Sequence, residues 1–193
     1  MSDDETIRVA TWNIHGFFGE GRRPDFERTI RLIRSFEADV LALQEIDGRT
    51  QFGREPQAFE RLRSALGDHF TEARLLGAPG REYGHGLWCS QPIRDAVVRR
   101  LPGPGMEPRG VIDALCETRL GVVRVLSTHF GLRPMARAAQ ANALVNCLEE
   151  GVPTIAVGDF NEWRSDGPVA KAFRKALPEV SIRPTWPVRR PLV

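Results

Sequence analysis

The chain has 193 residues, 41% of them hydrophobic, and a formal net charge of +2. That length suits one domain with a sizeable core and leaves no room for a second. The charge does not require a polyanionic partner, no apolar run reaches the length of a membrane span, and the acidic start Met1-Ser-Asp-Asp-Glu-Thr6 is unlike a signal peptide. Cys89, Cys116 and Cys147 are odd in number, far apart and without metal spacing, which predicts reduced thiols in a cytoplasmic protein. The basic residues are nearly all Arg, with Lys only at 171 and 175. Arg suits bidentate phosphate contact, although a surface rich in both signs explains the same composition.

Ile7 to His15 predicts a first strand with Ile7, Val9, Thr11 and Asn13 on one face, ended by Gly16. From Pro24 to Glu37 a helix is expected, its stripe of Phe26, Ile30 and Ile33 lying opposite Arg28, Arg31 and Arg34. Asp39 to Ile46 predicts a second strand in which Leu41, Leu43 and Glu45 share a face, and Ala58 to Leu66 a second helix. Short strands are expected at Phe70–Leu76, Gly86–Ser90 and Ala96–Leu101, separated by turn-rich pieces that include Leu101-Pro-Gly-Pro-Gly105. Gly110–Thr118 and Gly121–Phe130 read as a hairpin, with Val123, Val125, Ser127 and His129 on one face. Pro134 opens a third helix reaching about Glu150.

Thr154 to Val157 is a short buried strand that delivers Asp159 and Asn161 at its end, and Pro168 to Leu177 a fourth helix. No strand is expected in Pro178–Val193. Four strands therefore end in Asn13, Glu45, His129, and Asp159 with Asn161. If they lie side by side in facing sheets, these polar groups collect at one rim. A carboxylate and an amide oxygen suit Mg²⁺, which keeps most of its waters, while His and Asp serve proton transfer and charge stabilisation.

Thr11-Trp-Asn-Ile-His-Gly16, Leu43-Gln-Glu-Ile46, Ser127-Thr-His-Phe-Gly131 and Val157-Gly-Asp-Phe-Asn-Glu162 together resemble the four leading motifs of the endonuclease/exonuclease/phosphatase superfamily, in family order. Glu107-Pro-Arg-Gly110 and Tyr83-Gly-His-Gly86 resemble positions in its small bacterial members. The resemblance implies an α/β four-layer αββα sandwich and an Mg²⁺- or Mn²⁺-dependent phosphoesterase. It also implies roles. Glu45 binds the metal with Asn13 beside it. Asp159, held by Asn161, orients or deprotonates the attacking water, and His129 stabilises charge on the phosphoryl oxygens.

Arg109 is implied as a substrate-phosphate contact, a structural salt bridge being the other reading. His85 stands where relatives have Asn and is either a substrate-binding or proton-transfer group or a tolerated loop change. His15 is either support for Asn13 or a surface turn. The family's closing Asp-Arg strand and Ser-Asp-His motif do not occur. The resemblance therefore implies one catalytic domain over 1–193 that lacks its last strands, and it keeps open a non-catalytic phosphate-binding or scaffold alternative. A lipid headgroup, nucleotide or sugar phosphate fits as substrate. Scarce Lys, near-neutral charge and the lack of aromatic–basic interleaving argue against a dedicated duplex-DNA enzyme.

Overall fold

Two four-stranded sheets lie face to face, with a pair of helices covering the outer side of each. The computed structural model describes residues 6–103, 107–177, 179 and 185. The first sheet has the order β1 (Val9–Asn13), β2 (Val40–Asp47), β4 (Arg81–Cys89), β3 (Phe70–Ala78), and the second runs β5 (Ile93–Leu101), β6 (Arg109–Thr118), β7 (Gly121–His129), β8 (Thr154–Asp159). Only β1–β2 and β7–β8 are parallel. A parallel pair needs a crossover, and helices α1 (Phe26–Ser35) and α3 (Pro134–Val145) supply the two. Helices α2 (Ala58–Leu66) and α4 (Pro168–Ala176) complete the outer layers.

The layers follow from the apolar periods. Phe26, Ile30 and Ile33 of α1 join Phe59 and Leu62 of α2 against Leu41, Leu43 and Ile46 of β2. Val40, Ala42 and Leu87 meet Ile112, Ala114 and Val125 between the sheets. On the far side Ala141, Leu144, Val169 and Phe173 pack on Val111 and Leu126. Full burial of each such Leu, Ile or Phe contributes roughly 1.5–3 kcal/mol. The N-terminus of α1 is capped by Asp25, whose carboxylate accepts from the Arg28 N–H at 2.9 Å.

Three departures from expectation concern β4, α3 and the face of β2. β4 begins at Arg81 rather than Gly86, because Tyr83-Gly-His-Gly86 pairs with both β2 and β3 although it lacks strand-type composition. At Gly84 a Cβ would stand 1.8 Å from the Ala73 carbonyl oxygen, so only glycine permits this approach. α3 stops at Val145, with a C-cap at Asn146, and does not reach Glu150. Finally, Leu41 and Leu43 face the helices rather than the opposing sheet.

The three cysteines are free thiols, and among the described residues no helix is long and apolar enough to cross a membrane. Residues 1–5, 104–106, 178, 180–184 and 186–193 lie outside the described residues, so the expectation of a strand-free end falls largely there.

Candidate active site

The two parallel pairs set the geometry. Their registers place Asn13 opposite Gln44 and His129 opposite Asp159. β1 and β8 end their sheets on the side where the sandwich brings them together, so the C-terminal ends of β1, β2, β7 and β8 share one rim.

Glu45 reaches this rim by a local irregularity. Strict alternation predicts it beside Leu41 and Leu43, but a side chain in that phase would point beneath the helices. Instead the β2–β4 ladder shifts between Leu43 and Ile46, and Glu45 takes φ +55°. The bulge turns the carboxylate toward the rim, where its side chain is 28% exposed. His15 and Asn161 also have positive φ, 48° and 50°, so three strained residues flank the same place.

Asn13 ties the two carboxylates together. Its Nδ2 donates to Glu45 Oε1 at 2.8 Å and to Asp159 Oδ2 at 3.0 Å, while its Oδ1 accepts from the His15 N–H at 3.0 Å. His15 Nδ1 lies 3.4 Å from Glu45 Oε2, which favours the reading of His15 as support for the site. Burial pushes the Glu45 carboxyl up, but hydrogen bonds from His15 and Asn13 outweigh it and hold the group down at about 2. The His15 imidazole is pushed up in turn by its hydrogen bond to Glu45, against the effect of burial.

Asp159 is fixed from its other side. Its Oδ1 accepts the Asn161 N–H at 3.0 Å, and the Asn161 side chain donates to the Phe130 carbonyl at 2.9 Å, locking the ends of β7 and β8. Gly158 precedes it at φ +146°, where a Cβ would stand 2.0 Å from the Thr128 carbonyl oxygen. No arginine among the described residues pairs with Glu45 or Asp159.

His129 walls the site, its side chain 7% exposed, with Nε2 3.8 Å from Asp159 Oδ2. That separation is too long for a hydrogen bond, so both groups can address a third. Arg109 Nη1 lies 3.3 Å from His129 Nδ1. A guanidinium only donates, so Nδ1 accepts and the ring proton rests on Nε2. Burial and then the Arg109 charge push His129 down to about 4, against the pull of Asp159, which leaves it neutral at pH 7. Arg109 also meets Glu107 at 3.1 Å and the Tyr83 hydroxyl. Arg109 is therefore ion-paired, as the structural reading expects, and it also contacts His129 at the rim.

His85 requires correction as a substrate contact. β4 points it between the sheets, where it is 1% exposed behind His129. Burial pushes it down to about 3, with the nearby His129 adding to the effect. From there it lies behind His129 rather than on the solvent-facing rim. Tyr83 and Glu107, which the motifs contain, bear on the site through Arg109; no spacing in the sequence signals that contact.

Among the described residues no three His, Cys, Asp or Glu side chains converge as a metal cage. The residues nonetheless fit a hard cation. Two carboxylates face solvent unpaired by arginine, and Glu45 is ionised at neutral pH. Mg²⁺ takes one or two carboxylates and fills its remaining positions with water and substrate oxygens. Asn13 presents nitrogen to both acids in this arrangement, so its oxygen becomes a ligand only if the amide turns over.

The sequence pattern of the Endonuclease/Exonuclease/phosphatase family matches residues 10–190, and the chain belongs to that family. By its name the family comprises enzymes that cleave phosphate esters. The Escherichia coli K12 protein YbhP is 28% identical over 207 residues, covering 97% of this chain and 82% of its own. The human Nocturnin catalytic domain, solved with a bound sulfate, superposes with a TM-score of 0.67 at 23% identity, over 88% of this chain and 70% of that one. A family protein of Leptotrichia buccalis gives 0.67 at 17% identity, over 89% and 74%. Both structures share this fold.

Proposed function

We propose that the chain is a catalytic domain that hydrolyses a phosphate mono- or diester with a divalent cation, Mg²⁺ or Mn²⁺, held at Glu45. The observation that carries this reading is the single Asn13 amide nitrogen shared by Glu45 and Asp159, which sets an ionised carboxylate beside a second one at a solvent-facing rim.

Glu45, with Asn13 once its amide has turned, would hold the cation. Bound there, the ion supplies Lewis-acid polarisation of a phosphoryl oxygen and offsets its charge. Asp159 accepts a proton from water on the face opposite the leaving group. Its orientation is preset, since Oδ1 is occupied by the Asn161 N–H. His129, protonated on Nε2 and neutral, donates to a non-bridging oxygen, and that bond strengthens as charge grows there. Arg109 keeps the ring in this tautomer while adding positive charge beside the phosphate. A lipid headgroup, nucleotide or sugar phosphate fits this chemistry better than duplex DNA, whose binding draws on many phosphate contacts.

The test is hydrolysis of bis(p-nitrophenyl) phosphate with Mg²⁺, with Mn²⁺ and with chelator, for the wild type and Asp159→Ala. Turnover that needs the metal and falls at least about 1,000-fold in the variant supports the reading. Turnover indifferent to both would reject it.

A further inference from the structure

A groove of about 690 Å³ leaves the rim beside Arg109 and runs between the end of β5 and the β7–α3 connection. Arg49, Arg100, Arg109 and Arg133 line it, together with Leu101 and Leu132. Among the described residues its one acidic lining residue, Glu107, is committed to Arg109 at 3.1 Å. Arg49 is held by both oxygens of the buried Asp47 and stacks on Tyr83 at 4.5 Å, so its guanidinium is fixed in place. Arg100 and Arg133 are exposed and make no ion pair among the described residues. With Arg109 and Arg49 each matched by a carboxylate, the lining keeps two cations uncompensated among the described residues, Arg100 and Arg133, on a chain whose net charge is only +2.

We infer that this groove binds a second phosphate group of the substrate, beyond the ester that is cleaved. The inference rests on the phosphoesterase reading of the adjoining rim. Guanidinium forks match phosphate oxygens in pairs, and charge-assisted bonds of this kind are about twice as strong as neutral ones. Arg109 connects the two places, since it touches His129 and lines the groove at once. Leu101 and Leu132, which share the lining with the cations, suit the carbon framework joining two phosphates. The volume is that of a small-molecule pocket. The substrate class that follows is a compact phosphodiester bearing a further phosphate, of the nucleotide or sugar type.

Two chromogenic substrates decide it: thymidine 5′-(p-nitrophenyl phosphate), and the same compound with a 3′-phosphate. The wild type is expected to prefer the second by about tenfold in kcat/KM, more at low salt than at high. In the double variant Arg100→Ala/Arg133→Ala that ratio is expected to fall toward one. Both residues are exposed, and an unchanged thermal melt would verify that the fold persists. A wild type without preference, or a preference that survives both substitutions, would overturn the inference.

If neither compound is hydrolysed, the phosphoesterase reading still stands or falls on the bis(p-nitrophenyl) phosphate assay, and a second arm decides the groove without turnover. Thymidine 3′,5′-bisphosphate should then bind the wild type at least about fivefold more tightly than thymidine 5′-monophosphate, and the double variant should lose that difference. Equal binding of the two nucleotides by the wild type would overturn the groove's assignment independently of turnover.

Discussion

Asn13 and Asp159 stand 146 residues apart in the chain, yet the amide nitrogen of one lies 3.0 Å from a carboxylate oxygen of the other. The same nitrogen serves Glu45 at 2.8 Å, so one side chain from β1 couples two acids from different sheets. Replacing Asn13 by Ala removes that donor and lets the acids repel. Glu45 should then titrate higher than its present value near 2, with His15 still holding it partly down. We expect kcat/KM to fall about 100-fold with little loss of stability, because the change loosens positioning rather than packing. Steady-state rates set beside a urea melt check both halves.

The protonation of His129 depends on Arg109. Burial is the larger cause of its low value near 4, and the Arg109 charge is the second. Arg109→Met keeps bulk and removes the cation, so the imidazole should titrate higher, though still below 6.5 because it stays buried. The ring nitrogens followed by NMR across pH 3–8 report this directly. An unchanged titration would mean that Arg109 does not act on the ring.

His85 should make the fold acid-sensitive. Its folded value near 3 lies below the 6.5 of an exposed histidine, so between those values the unfolded chain binds the extra proton. Stability is therefore full above pH 6.5, falls as pH drops below it, and levels near pH 3. The loss amounts to several kcal/mol if nothing else intervenes. Urea melts at stepped pH should show a shallower decline for His85→Asn than for the wild type over that interval.

Two ion pairs should differ sharply in what they contribute. Arg124 and Asp113 are both buried and joined at 2.7 Å through two nitrogens. Asp113→Ala leaves a buried guanidinium with only the exposed Glu149 at 3.0 Å, and should cost about 3 kcal/mol. The Arg94–Glu117 pair at 2.6 Å is solvated, and Glu117→Ala should cost under about 1 kcal/mol. Denaturant midpoints measure both.

Much of this was legible in the sequence wherever a period stayed regular. The stripe Phe26, Ile30, Ile33 marks α1 and its buried face, and α2 spans 58–66 as its pattern predicts. Asn13, His129 and Asp159 lie on the faces that alternation assigns, next to the residues packed between the sheets. Glu45 reaches the rim for a reason alternation cannot express, since a bulge with positive φ carries no period. β4 was half hidden because its glycines are retained for close strand approach rather than for strand propensity. The burial of His85 depends on which sheet face β4 turns inward, and the Arg109–His129 contact joins residues of β6 and β7 whose approach no local pattern records.

The claim on which the rest depends is that Glu45 grips a divalent ion at this rim. Mn²⁺ titrated into the protein and followed by electron paramagnetic resonance tests it without any substrate. One ion per chain for the wild type, largely lost in Glu45→Gln and retained in Glu149→Gln, is the predicted result. Binding of equal affinity and stoichiometry in Glu45→Gln would contradict the account.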